Sequence, residues 1–319
     1  MQLFEGLATV PPDFGPSAVT IGKFDGVHAG HLAVIGELKA VAAERGLLAT
    51  VVTFDRHPLS LLAPELCPES LVSNKKKAEL LEAAGVDATL VLAFDRAFSE
   101  QQPVDFVKSV LVDALHASVV FVGEDFRFGV RGSGDVALLD SLGREYGFEV
   151  RHIPEIVVET AAAGQRASST WIRQLLDAGD VADAAGPLGR LHSIRSSVVH
   201  GEERGRSLGY PTANLSPDLE GFIPRDGVYA AWATIDGERY GAAASIGNNP
   251  TFEGVPQKQV EAHLLDHSAD LYGKTIELEF VDYVRSMNKF ESAEALADQM
   301  RADEDRIRDI LGYPARSNR

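Results

Sequence analysis

The sequence predicts two folds in tandem: an α/β half built on a parallel sheet, then an antiparallel β half closed by a C-terminal helix. Three observations predict it. In the first half, apolar runs alternate with helix-period stripes. A linker-like stretch rich in Ala, Gly and Asp, with Pro187, covers residues 179–189. Beyond it, the runs alternate apolar and polar with period two. Strand–helix alternation implies parallel strands with covering helices, and successive period-two runs imply antiparallel pairing. A length of 319 residues suits two domains better than one. The change near Gly186 sets the expected domains at 1–185 and 186–319.

Residues 18–21, 48–54, 88–93, 118–122 and 148–153 read as the strands of the first half. Between the first two, Leu32, Ile35, Leu38 and Ala42 form a helical stripe, and Leu80, Leu81 and Ala84 form another. Lys75, Lys76 and Lys77 fall near that second helix start and read as a solvated face. In the second half, residues 228–235, 238–246, 260–265 and 275–284 alternate as strands of a small barrel or sandwich. Asp236-Gly237 supplies a hairpin turn. Residues 292–311 are helical again, with Leu296, Met300 and Ile307 as the buried stripe and the charged residues outside.

Composition bounds the function. Hydrophobic residues are 45% and charged residues 24%, an ordinary globular mixture. A net charge of −17 without a basic stripe argues against a nucleic-acid binder. Such a chain must hold phosphates with backbone donors, a few Arg and His, and a bound cation. No export signal or membrane-length apolar run is visible, and Cys67 is the only cysteine, so no intrachain disulfide forms. These features fit a cytoplasmic enzyme.

The most informative run is Val19 to His31, which ends His28-Ala29-Gly30-His31. It reads as a buried strand, an Asp-Gly turn and two imidazoles three residues apart as a helix begins. Glycines let backbone N–H groups approach an anion, and the helix start adds partial positive charge. A polyphosphate site fits; surface histidines or a metal pair are the alternatives. Three further runs are expected at the same sheet edge: Val52 to Pro58 (VTFDRHP), Val122 to Gly129 (VGEDFRFG) and Ser168 to Arg173 (SSTWIR). Gly273-Lys274-Thr275 fails as a P-loop, because Ser268 stands where the first glycine belongs and a strand follows. Gly132 to Ala137 fails as a dinucleotide fingerprint, because Ala137 replaces its last glycine.

Taken in order, these runs resemble the adenylyltransferase half of the prokaryotic bifunctional riboflavin kinase/FAD synthetase family. Gly205 to Leu215 (GRSLGYPTANL) resembles its kinase signature. Gly227-Val228-Tyr229, Gly247 to Phe252, Glu261 to Asp266 and Leu271-Tyr272-Gly273 follow in the family's order. The resemblance covers nearly the whole chain. It implies a Rossmann-like nucleotidyltransferase domain and a riboflavin-kinase-like barrel, with riboflavin, FMN and ATP as substrates and no nucleic-acid or membrane partner.

The resemblance also implies roles. Glu261 is the base toward riboflavin's terminal hydroxyl, and Thr212 and Asn214 hold Mg²⁺. The loop 201–209, with Arg204, Gly205, Arg206 and Gly209, wraps the kinase nucleotide. In the other half, Gly22, Phe24, His28, His31, Ser169, Thr170 and Arg173 bind ATP, with the two histidines holding its triphosphate, and Asp125 and Phe128 belong to the flavin pocket. Lys23, Leu191 and the run Arg195-Ser196-Ser197 depart from the family's usual residues. An enzyme with one live module, or a non-catalytic flavin or nucleotide sensor, is the alternative.

Overall fold

β2 (Ser17–Ile21) is buried at every position and β3 (Leu48–Phe54) at all but its ends. Strands so buried need cover on both faces, and a parallel sheet with helices supplies it. The computed structural model describes residues 1–153, 166–200, 210–247 and 258–314. These form two compact units, Met1–Ala167 and Ser168–Arg319.

In the first unit, β1 (Gln2–Glu5), β4 (Ala88–Leu92), β5 (Ala117–Gly123) and β6 (Glu149–Ile153) join β2 and β3. The order is β1-β4-β3-β2-β5-β6 and every pairing is parallel. The strand reversal falls between β2 and β5, where an α/β sheet opens a crevice at its carboxyl edge. β1 escaped the sequence reading because only Phe4 of its four residues is buried. Helix α1 (Ala29–Arg45) buries Ile35, Leu38, Val41 and Ala42 and ends on left-handed Gly46. Helix α2 (Asn74–Ala83) is capped by Ser73, whose hydroxyl accepts the Lys76 N–H.

The lysine run is a solvated face only in part: Lys75 is exposed and Lys76 half-buried. Lys77 is buried at 8% exposure, and its Nζ donates to the Phe54 carbonyl at 2.8 Å. The stripe Leu80–Leu81 turns inward, and Lys77, one turn before Leu81, is carried in with it. Burial lowers its pKa, and Asp25 and Asp55 oppose that shift.

The second unit opens with α3 (Ser169–Ala178) and α4 (Val181–Leu188). The stretch 179–189, read from composition as a linker, is therefore mostly helix. Val181, Ala184 and Leu188 are buried, which Ala- and Gly-rich composition alone does not reveal. The expected boundary at 185/186 falls inside α4, whereas the compact units divide at 167/168.

β7 (His192–Val199), β8 (Ala213–Leu215), β9 (Gly227–Ile235), β10 (Glu238–Gly247), β11 (Gln259–Leu264) and β12 (Thr275–Arg285) close a barrel in the order β10-β11-β8-β7-β12-β9. All its pairings are antiparallel. Thr275 opens β12, so no helix follows Gly273-Lys274-Thr275. The departure at Arg195 is accommodated by Glu277, directly opposite in register, at 2.9 Å.

Helix α5 (Ala293–Leu311) closes the barrel. Ile307 packs with Val228, Ala230, Leu265 and Val284. Leu296 and Met300 are only half-buried, while Asp303, Glu304 and Arg308 are buried. The charged residues expected outside are thus partly inside. They are tolerated because Arg285 meets Asp303 at 2.7 Å, and Arg308 meets Glu304 at 2.7 Å and Asp266 at 2.8 Å. Among the described residues, no helix is long and apolar enough to cross a membrane.

Candidate active site

The first site grows from the end of β2. Gly22 N–H donates to the Val52 carbonyl at 3.0 Å, and Thr53 Oγ1 donates to the Lys23 carbonyl at 3.0 Å. The turn that follows is strained: Phe24 and Val27 both have positive φ, at 49° and 39°. Neither residue type favours that region, and such strain concentrates where a site demands it. Phe24 is buried at 2% exposure beneath the His31 ring, with centroids 4.9 Å apart.

His28 is the N-cap of α1, and its ring stacks on His31 at 3.7 Å and 20°. The two imidazoles therefore share one face, as their spacing predicts. Gly30 leaves room for them, since a Cβ there would lie 3.2 Å from the His28 ring. At 7% exposure His28 is no surface residue. The His28 N–H donates to His31 Nδ1 at 3.3 Å, which leaves the proton of neutral His31 on Nε2. Burial, then the neighbouring charges of His28 and Lys23, hold His31 well below the usual imidazole range. It is therefore a neutral donor at physiological pH. Among the described residues, no group of three His, Cys, Asp or Glu side chains is arranged to hold a metal.

Beside this turn lies an open cavity of about 1140 Å³, lined by Gly22, Lys23, His57, Asp125, Phe128 and a wall of phenylalanines. Phe54, Phe94, Phe98 and Phe106 follow one another edge-on at 5.7 to 6.0 Å, and Phe126 stacks on Phe128 at 5.5 Å. Asp125 and Phe128 thus line one cavity. The sequence reading missed Phe94, Phe98 and Phe106. Phe94 and Phe98 are four apart, a spacing that signals a shared face but not what the face meets. The cavity has the size and aromatic lining of a small-molecule site.

Ser169, Thr170 and Arg173 open α3 in the second unit. Ser168, not Ser169, is the cap, accepting the Trp171 N–H at 3.2 Å.

The second candidate site lies on the barrel. Glu261 and Asn214 face each other in register across β11 and β8. Val260 and Ala262 are buried and Glu261 is half-buried, so Glu261 and Asn214 share the side away from the barrel core. Ser245 flanks Glu261 on β10. Thr212 instead lines a cavity of about 510 Å³ with Pro211, His267, Asp270 and Tyr272. Gly205, Arg206 and Gly209, with Arg204, lie outside the described residues.

Comparison with known proteins gives one pattern for each half. The family profile described as FAD synthetase matches residues 11–170, and that of riboflavin kinase matches 188–311. The Bifunctional riboflavin kinase/FMN adenylyltransferase of Escherichia coli K12 is 38% identical over 315 residues, covering 98% of each chain. Its counterpart from Bacillus subtilis is 34% identical over 291 residues, covering 90% of each. A solved structure described as a macrolide-efflux protein from Streptococcus pneumoniae superposes with a TM-score of 0.85. It is 31% identical and covers 97% of this chain and 99% of that one.

Proposed function

The chain belongs to the bifunctional riboflavin kinase/FMN adenylyltransferase family, and from that premise we infer how its residues divide two reactions. The enzyme phosphorylates riboflavin to FMN with ATP, then adenylylates FMN to FAD with a second ATP, releasing pyrophosphate. We assign the kinase step to residues 186–319 and the adenylyl transfer to residues 1–185, a division that the profile matches at 188–311 and 11–170 support.

In the kinase step the terminal ribityl oxygen attacks the γ-phosphorus of ATP. The bond from that phosphorus to the β-bridging oxygen breaks, and ADP leaves. Glu261 accepts the hydroxyl proton. Asn214, directly across from it, and Thr212 offer neutral oxygen donors, the kind a hard cation takes alongside phosphate oxygens. They would hold Mg²⁺, which when bound offsets the charge of the phosphates. Gly205, Arg206 and Gly209 would enclose the nucleotide.

In the adenylyl transfer an FMN phosphate oxygen attacks the α-phosphorus of ATP. The bond to the β-bridging oxygen breaks, and pyrophosphate leaves. The nucleophile is already an anion, so catalysis rests on positioning and charge stabilisation. His28 and His31 donate to the triphosphate, with Gly22 and Phe24 shaping the turn beneath it. Ser169, Thr170 and Arg173 are assigned to ATP by the family resemblance, and Asp125 and Phe128 to the flavin. A cytoplasmic location, in keeping with a lone cysteine, belongs to the same proposal.

The observation that carries the adenylyl-transfer assignment is the stacked His28–His31 pair at a helix start beside an aromatic cavity. The test incubates the protein with riboflavin, Mg²⁺ and ATP and separates the flavins by chromatography. FMN followed by FAD is the expected product sequence. Unchanged riboflavin would reject the reading.

A further inference from the structure

Two hydrogen-bond donors meet head-on in the wall of the first cavity. Lys23 Nζ lies 3.3 Å from His57 Nε2. The Leu59 backbone N–H donates to the other ring nitrogen, Nδ1, at 3.1 Å. Nδ1 is therefore the acceptor, and a neutral His57 carries its proton on Nε2. Lys23 is an ammonium with donors only. An N–H thus points at a cation, an arrangement that is unfavourable in isolation. A shared, negatively charged acceptor converts it into two charge-assisted hydrogen bonds.

The surroundings hold the pair in this arrangement. Lys23 is tied through its carbonyl to Thr53, four residues before His57. Both residues line the cavity of about 1140 Å³ that holds Gly22, Asp125 and Phe128. Neighbouring cations are engaged elsewhere: Arg56 meets Asp55 at 2.9 Å, and Lys77 donates to the Phe54 carbonyl. Lys23 is also close enough to His31 for its charge to help keep that ring neutral. An anion between Lys23 and His57 would therefore sit within electrostatic reach of the histidine pair.

The geometry points to Lys23 and His57 as a clamp for one phosphoryl oxygen in the adenylyl-transfer site. This rests on the functional reading above, in which two substrates could supply that oxygen: the phosphate of FMN or the polyphosphate of ATP. Lys23 supplies charge and His57 direction. The clamp would distinguish phosphorylated from unphosphorylated ligands, because only the former bring the acceptor that relieves the donor conflict.

The test measures binding by the full-length protein and its Lys23→Met, Lys23→Arg and His57→Gln variants. FMN is followed by flavin fluorescence, with riboflavin as the phosphate-free comparison, and inorganic tripolyphosphate by calorimetry. Losing a hydrogen bond to a charged group should weaken binding on the order of tenfold to a hundredfold. If Lys23→Met weakens FMN alone, the oxygen is the flavin's. If it weakens tripolyphosphate alone, the oxygen is the nucleotide's, and loss of both means the two share it. Lys23→Arg should recover most of the loss, which a merely structural effect would not show. Unchanged binding of both probes in Lys23→Met and His57→Gln overturns the clamp. Lys23 is exposed, so its replacement leaves the core intact. FAD formation is followed in parallel. Its absence from the unaltered protein would reject the functional reading, while the binding data would still decide the clamp.

Discussion

At the scale of single residues, the assignment turns on two side chains in different units. His31 is held neutral with Nδ1 occupied by the His28 N–H, so it presents one donor, Nε2–H. His31→Ala removes that donor, and losing such a contact to developing phosphate charge costs on the order of 10²–10³ in rate. FAD formation should fall by that factor while FMN formation persists, as separate initial rates would measure. Near-normal FAD synthesis would remove His31 from the site. Glu261→Gln keeps shape and removes basicity. As a base its loss falls on kcat, by roughly 10²–10⁴. As a mere riboflavin contact its loss raises KM with kcat kept. Steady-state kinetics on riboflavin separates these, and unchanged kinetics would send the search for the base elsewhere on the barrel. The histidine pair was legible in the sequence, because a spacing of three at a helix start fixes a common face. Lys77 was not, since three consecutive lysines carry no sign of which one the helix turns inward.

At the scale of elements, strands were more legible than helix faces. Continuous apolar runs announced β2, β3 and β5, whose central residues are buried. β7 was missed because its buried positions include His192 and Ser196, which a hydrophobic pattern passes over. Helix α5 was recognised as a helix, but Asp303, Glu304 and Arg308 were put on the wrong side. Arg308 is 3% exposed between Glu304 and Asp266. Removing one member of a buried network leaves a charge uncompensated, so Arg308→Ala should destabilise the barrel by about 3–5 kcal/mol. Arg301, whose pair with Asp298 is exposed, should cost no more than about 1 kcal/mol on the same change. Denaturant titration of both variants checks the contrast, and equal losses would contradict the buried-network account.

At the scale of the whole molecule, two units were legible from the switch in periodicity, but their junction was not. Composition marked 179–189 as a linker, whereas Leu176, Val181, Ala184 and Leu188 are buried parts of α3 and α4 in the second unit. A fragment of residues 168–319 should therefore make FMN and no FAD, and should resist denaturant better than 189–319, which lacks those side chains. Equal stability would mean that α3 and α4 add nothing to the barrel unit. Two separable sites that act in sequence on one flavin should complement each other when two disabled proteins, His31→Ala and Glu261→Gln, are mixed with riboflavin, Mg²⁺ and ATP. The first should release FMN and the second adenylylate it, so the mixture should make FAD that neither variant makes alone at a comparable rate. A mixture no better than its components, with each variant losing both reactions, would contradict the account.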